Sequence, residues 1–257
     1  MDQLVTEQID GNVATITINN PPQNLITTPL IEQLESVIDQ LSENVAVKAI
    51  VLTGGSLFIA GADVHEILAI PNAMEGERLS KRGHALLNKM EWLQKPIIAA
   101  INRFCLGGGL EVALACHMRI AGDRTRLGLP EVGLGIMPGF GGTQRLPRLI
   151  GMAKAMELIL TGDLVSAEEA KGMGLVNRVV AETEVLKEAQ GLAKKIAAKG
   201  RMAVSAAMRA ILAESVHHLS SGLSLEAEIF GTLCETADMK EGLSAFVEKR
   251  QPKFQDR

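Results

Sequence analysis

Strand-like and helix-like stretches alternate along the first two-thirds of this chain, and helical spacing dominates the rest. That order most constrains the fold, because two alternating periods in one compact length select the α/β class. Residues 2–9 and 12–19 alternate in polarity, as in Val13-Ala14-Thr15-Ile16-Thr17-Ile18, and Asp10-Gly11 between them signals a hairpin. Asn19-Asn20-Pro21-Pro22 ends the pair. Residues 28–42 carry Leu30, Ile31, Leu34, Val37, Ile38 and Leu41 at helical spacing. Residues 47–53 read as a strand stopped by Gly54-Gly55. Further along, the pattern predicts an amphipathic helix over 75–94 and a strand over 96–101. A small-residue helix opens at Gly107-Gly108-Gly109 and runs to about Cys116, and a strand covers 118–121. A Gly/Pro-rich stretch spans 128–142. Beyond about 143 the chain is mostly helical, with one strand over 175–180, and Ser166-Ala167-Glu168-Glu169 has the capping-box form. The reading is a core domain over 1–195 and a helical C-terminal region over 196–257. A β-β-α recurrence is conceivable, although no sequence identity demonstrates it.

Composition narrows the chemistry. Hydrophobic residues are 47% of the chain and aromatics 3%, with six Phe, one Trp and no Tyr. The core must therefore be aliphatic. The rings on which nucleic-acid bases stack are missing, and no tyrosine can serve as acid or nucleophile. A net charge of −4 offers no footprint for a polyanion, so no nucleic-acid partner is expected. Cys105, Cys116 and Cys234 are odd in number and form no CxxC, which argues against a disulfide framework or zinc site and for a reducing compartment. Met1-Asp2-Gln3-Leu4 does not open a signal peptide, and no apolar run approaches the ~20 residues of a membrane span. The expectation is a soluble, cytoplasmic chain with no membrane partner.

Several motifs fail on inspection. Gly-Lys never occurs, so there is no Walker loop. The third glycine of GxGxxG is missing at both Gly107 and Gly133-Leu134-Gly135. His65-Glu66 begins like HExxH without the second His, and no Gly-x-Ser-x-Gly elbow exists. The five histidines show no metal-ligand spacing, so no metal site is expected. His217-His218 reads as solvated surface or a cap.

Glu111 is the only charge between Cys105 and Cys116, in a stretch with the composition of a buried helix. A carboxylate there is costly unless hydrogen-bonded, and its pKa tends upward, toward acid–base work near neutral pH. A Glu on the one wet face of the helix fits equally well by composition. Glycines at a helix start let backbone approach a ligand, and the first N–H groups of a helix have no internal partner. Gly108 and Glu111 would share one face, roughly 4.5 Å apart along the axis, if Gly108 lies in the first turn. An oxyanion donor would then stand beside a carboxylate. Glu131, between Pro130 and a glycine-rich loop, is a second carboxylate that serves equally as a surface loop residue.

Taken together with these segments, Phe58-Ile59-Ala60-Gly61-Ala62-Asp63, Pro138-Gly139-Phe140-Gly141-Gly142-Thr143-Gln144-Arg145-Leu146, Leu160-Thr161-Gly162 and Ala170 to Val176 make the chain resemble the crotonase superfamily. Within it the chain resembles the enoyl-CoA hydratases, nearly end to end. The resemblance implies a spiral of ββα units with a helical C-terminal region that makes trimers, often paired as hexamers. It implies an acyl-CoA thioester substrate and no metal or redox cofactor, coenzyme A being part of the substrate. The oxyanion hole maps onto the backbone N–H groups of Ala62 and Gly108, and the catalytic pair onto Glu111 and Glu131. Substrate contacts map onto Ala60, Gly61, Asp63, His65, Gly107, Pro138 and Gly139. Phe246 and Lys249 could reach a neighbour's CoA or acyl pocket, and they fit plain structural helix positions equally well. His117 stands where many relatives have Asp, His65 where many have Lys, and Asn19 to Leu25 is a shortened opening loop, which puts the CoA contacts in question. Two glutamates favour hydration over a Δ3-Δ2 enoyl-CoA isomerase, since isomerases commonly use one. A non-catalytic acyl-CoA- or RNA-binding role is the remote alternative.

Overall fold

A computed structural model describes residues 3–213 and 219–256, so His217-His218 lies outside the described residues. The hairpin forms where expected, from β1 (Val5–Asp10) and β2 (Val13–Ile18), turning at Gly11 with φ 58°. Then come α1 (Thr28–Glu43), β3 (Ala49–Thr53), α2 (Val64–Leu68), α3 (Ala73–Glu91), β4 (Ile97–Ile101), β5 (Phe104–Leu106), α4 (Gly108–Ala115), β6 (Met118–Gly122) and β7 (Arg126–Gly128). A 3-10 turn over Glu131–Leu134 precedes α5 (Gly142–Ile150), α6 (Met152–Thr161), β8 (Val165–Ser166), α7 (Ala167–Gly172) and β9 (Arg178–Val180). A second 3-10 turn, Glu182–Glu184, leads to α8 (Val185–Ala197), α9 (Arg201–Ala213), α10 (Leu219–Leu233) and α11 (Ala237–Val247).

Six strands form one sheet in the order β1-β2-β3-β4-β6-β9, and three form another in the order β5-β7-β8. Only β1 in the large sheet is antiparallel to its neighbour. The central strands β3 and β4 are buried at every position, as parallel strands covered on both faces must be. Single bridges add Ile26 to Ala62 and Ile59 to Cys105, which extend the small sheet.

These bridges reveal the β-β-α recurrence. Four times, a strand of the large sheet (β2, β3, β4, β6) is followed by a short extended piece in the second layer and then by helix. The second-layer pieces are Ile26, Ile59–Ala62, β5 and β7. The recurrence escapes sequence reading because those pieces are three residues or fewer within strands or single bridges, too short for a period to register. Several predicted bounds move by a few residues. The last strand begins at Arg178, because the Leu175 and Val176 N–H groups both turn back to Ala170 C=O (2.8 and 3.3 Å) at the end of α7. Helix α3 stops at Glu91, short of 94, where Trp92 closes it with its N–H on Asn88 C=O (2.9 Å). The capping box forms, with Glu169 N–H donating to Ser166 Oγ and Glu169 Oε2 accepting from Ser166 N–H (2.7 Å).

The chain divides into two units, Met1–Ala193 and Lys194–Arg257. The core of the first is aliphatic, with Phe58 its one fully buried ring. In the second, buried Asp238 accepts from the Gln255 and Asp256 N–H groups (2.6 and 2.9 Å), and Arg250 grips Glu241 through two bonds (2.6 and 2.9 Å). No helix among the described residues is long and apolar enough to cross a membrane.

Candidate active site

Helix α4 begins at Gly108, so this residue occupies the first helical position and its N–H has no partner within the helix. Gly107 precedes it at φ 51°, a backbone geometry that favours glycine. A Cβ at Gly109 would stand 2.4 Å from Ile59 C=O, so glycine there lets α4 lie directly on the Ile59–Ala62 piece. The result is a meeting of two N–H groups. A Cβ built on Gly108 would be 3.9 Å from the Ala62 nitrogen. In the Ile26–Ala62 bridge the bonds run from Ile26 N–H to Gly61 C=O and from Asp63 N–H to Ile26 C=O, so Ala62 N–H faces the other way, toward α4. Among the described residues, neither Ala62 N–H nor Gly108 N–H has an acceptor.

The Ala62 segment is held from both sides. Asn24, buried and at φ 53°, donates its amide to the carbonyls of Gly54 (3.0 Å), Leu57 (2.8 Å) and Phe58 (3.1 Å). Asp63 caps α2 by accepting from His65 N–H (2.7 Å), and Glu66 accepts from Thr28 N–H and Oγ1 (2.9 and 2.8 Å), tying α2 to the start of α1.

Glu111 is 2% exposed, so the helix has no wet face at this position. Its Oε1 accepts from Phe140 N–H (2.7 Å) and Gly142 N–H (2.8 Å), while Oε2 has no partner among the described residues. Burial pushes its pKa up to about 7, and the nearby Glu131 charge adds to that rise. The two N–H bonds and the Arg145 charge pull the other way. Glu131 opens the 3-10 turn. A Cβ on Gly107 would be 3.1 Å from its Oε1, which places the carboxyl against the start of α4. Burial raises its pKa too, and its Oε2 is sealed from solvent without a partner.

The loop that grips Glu111 is itself braced. Arg145, 7% exposed, donates to Phe140 C=O (3.1 Å), Glu91 Oε2 (2.9 Å) and Asn88 Oδ1 (2.6 Å), and Ser80 Oγ donates to Gly139 C=O (2.5 Å). Sequence reading missed Asn24 and Arg145 as supports. The one signal was Arg145 inside the Pro138-to-Leu146 segment already singled out. At the other end of α4, buried Arg119 donates to the carbonyls of Ala113 (3.1 Å), Cys116 (2.6 Å) and Leu175 (2.7 Å). His117 is held from two sides. Its Nδ1 accepts from Ile97 N–H (2.9 Å), which leaves Nε2–H for Glu91 C=O (3.1 Å), and burial lowers its pKa to about 4.

Of the remaining expected contacts, Ala60, Gly61 and Asp63 sit on the Ala62 segment, and Gly107 at the start of α4. Pro138 and Gly139 sit on the loop over Glu111, and His65 is exposed in α2. Phe246 and Lys249 belong to the second unit, where Phe246 is 82% exposed near the end of α11 and Lys249 follows at φ 54°. Among the described residues no cluster of His, Cys, Asp and Glu is arranged to hold a metal ion.

Two carboxyls and two unpaired N–H groups at one helix start suit acid–base chemistry next to a polarised carbonyl. The chain belongs to the enoyl-CoA hydratase/isomerase family, whose pattern matches residues 8–257. It is similar to a probable enoyl-CoA hydratase of Bacillus subtilis, 44% identical over 248 residues and 96% of each chain. It is also similar to a short-chain-enoyl-CoA hydratase of Clostridium acetobutylicum, 41% identical over 94% of each chain. The crystal structure of an enoyl-CoA hydratase from Bacillus anthracis superposes with a TM-score of 0.95 at 39% identity, covering 99% of this chain and 100% of that one.

Proposed function

We propose that this chain adds water across the 2,3 double bond of a trans-2-enoyl-CoA thioester to give the 3-hydroxyacyl-CoA, in fatty-acid β-oxidation or a related acyl-CoA degradation. The observation that carries this reading is the convergence of Glu111, Glu131, Ala62 N–H and Gly108 N–H on the first turn of α4. The thioester oxygen accepts from the two N–H groups, which draws electron density off the β-carbon. Glu111 removes a proton from water through Oε2 as the water oxygen bonds to the β-carbon, and the electron pair moves onto the thioester oxygen as an enolate. Glu131 then delivers its proton to the α-carbon, and one proton passing between the two carboxyls through solvent resets the pair.

The assignment of roles rests on what holds each group. Glu111 is hydrogen-bonded in its charged form by two N–H donors, which suits a base. The sealed, partnerless oxygen of Glu131 is less costly on a protonated carboxyl, which suits an acid. Close carboxyls titrate as a pair, so the working enzyme holds one proton between them. Every group this reaction uses is a side chain or backbone N–H of the chain, so it calls for no metal or redox cofactor. The contacts at Ala60, Gly61, Asp63, His65, Gly107, Pro138 and Gly139 line the CoA and acyl path in the same reading.

We further read the enzyme as a cytoplasmic homotrimer or homohexamer. Met152, Met156 and Leu160 support this, exposed by 63%, 55% and 70% at helical spacing along α6, since a soluble monomer rarely shows such a row to water. A coupled assay over trans-2-enoyl-CoA chain lengths tests the function, with a β,γ-enoyl-CoA as control. Hydration of crotonyl-CoA exceeding conversion of the control is the expected result. Turnover of the control alone would make the chain an isomerase.

A further inference from the structure

We propose a second, separate site: a pocket that binds the phosphate group of a small phosphorylated ligand. It is a concavity of about 280 Å³ lined by Arg103, Phe104, Arg124, Arg126 and Glu182. That volume is near the lower end of those that hold small ligands, roughly 300–1,000 Å³.

Three arginines line this one concavity in a chain whose net charge is −4. Five arginines elsewhere pair with carboxylates, Arg78 with Glu75, Arg82 with Glu32, Arg145 with Glu91, Arg178 with Glu188 and Arg250 with Glu241, while buried Arg119 bonds backbone carbonyls. Among the described residues, Arg103, Arg124 and Arg126 make no direct ion pair or side-chain hydrogen bond, even with Glu182 in the same wall, although the Arg126 charge also acts on Glu169. The fold itself enforces the crowding. Strands β5 and β7 are parallel neighbours with Phe104 opposite Arg126, and Arg126 N–H donates to Arg103 C=O (2.7 Å). Like charges gathered around one concavity repel, and a bound anion would offset that repulsion.

Arg103 also sits at φ 58°, a backbone geometry that glycine adopts freely and a long side chain does not. An arginine thus stands where a glycine would be easier. The guanidinium fork pairs with phosphate oxygens in a bidentate way, and several forks around one concavity favour a phosphate dianion over a single carboxylate. Phe104, 40% exposed on the same wall, presents a ring that a nucleotide base can stack on. The pocket lies at the start of β5 and Gly107 just beyond its end, about 13 Å apart at strand spacing, so it is distinct from the carboxylate pair.

The test is calorimetric titration of the full chain with inorganic phosphate and with ADP, at ionic strength held constant with sodium chloride. Arg103→Gly and Arg124→Gln are run beside the wild type. Arg103→Gly places the preferred residue at that backbone geometry, so it tests the side chain without threatening the fold. The expected result is saturable wild-type binding with a dissociation constant on the order of 1 mM or tighter, weakened about tenfold or more in each variant, and KM for crotonyl-CoA unchanged. Tighter binding of ADP than of phosphate assigns the ligand to nucleotides. Equal binding assigns it to the phosphate alone. Absence of saturable wild-type binding, or retention of wild-type affinity by either variant, overturns the proposal. A raised KM for crotonyl-CoA in the variants would also overturn it, by making the pocket part of the thioester site.

Discussion

Glu111 and Glu131 reach the same helix start from opposite kinds of structure. Glu111 rides on α4, a helix buried at all eight positions, and one of its oxygens is clamped by two N–H groups from a loop thirty residues downstream. Glu131 rides on a four-residue 3-10 turn that ends at exposed Leu134 (64%), with exposed Met137 (62%) just beyond, and its buried Oε2 touches no donor. The difference teaches how one residue type is given two environments in one protein: Glu111 is buried with two N–H donors from a distant loop on one oxygen, whereas Glu131 is buried with only its own backbone N–H as donor and one oxygen left without a partner. In the reaction proposed above, the first environment suits the base and the second the acid.

The strongest attempt to break that contrast removes each acid in turn. Glu111→Gln and Glu131→Gln are each expected to lower crotonyl-CoA hydration by roughly 10²–10⁴-fold with folding intact. Because the two act as a unit, the double variant should be little worse than the poorer single one. A double variant whose loss is the product of the singles would mean that the carboxyls act independently. Near-wild-type turnover in either single variant removes the two-carboxylate reading altogether.

A smaller effect should separate the two holders. Arg145 braces Phe140 C=O, and its charge also favours the ionised form of Glu111. Arg145→Met is expected to slow turnover about ten- to a hundredfold, by loosening the clamp rather than by removing a reacting group. It should also move the midpoint of the kcat/KM profile upward from about 7, because a positive charge that stabilised the carboxylate is gone. A variant with lower activity and an unmoved midpoint would mean that Arg145 supports the fold only.

How much of this was legible in the sequence follows from the same contrast. Glu111 stood out because it was the one charge in an apolar helical run, and the helix start at Gly108 was marked by three glycines. Glu131 was visible only as a carboxylate beside a glycine-rich loop, since a 3-10 turn leaves no period to read. The hairpin, the central strands and the long helices were legible because each repeats its pattern several times. Strands β5 and β7 were not, at three residues each, although β5 carries the chain directly into Gly107. The clamp on Glu111 spans 29 and 31 residues of sequence, and no local rule links residues so far apart. Asn24 was likewise hidden, because its value lies in three carbonyls more than thirty positions on, or thirty at the nearest.

The mildest prediction concerns stability. Glu111 has its pKa raised from 4.5 to about 7 by burial, so between those values the folded chain keeps a proton that the unfolded chain has released. Stability therefore falls as pH rises from about 4.5 and levels off above about 7, where both states are ionised. The full difference is on the order of 3 kcal/mol. Glu111→Gln keeps an oxygen for the Phe140 and Gly142 N–H groups and carries no charge to desolvate, so it should melt several degrees above the wild type at pH 8 and close to it near pH 4.5. Glu131→Gln should show the same sign, since burial raises that group too. Melting curves of the wild type and both variants across this range decide the matter. Curves for Glu111→Gln that parallel the wild type at every pH would mean that the charge of Glu111 is stabilised in the folded chain as well as in water, and that the base assigned here is an ordinary carboxylate.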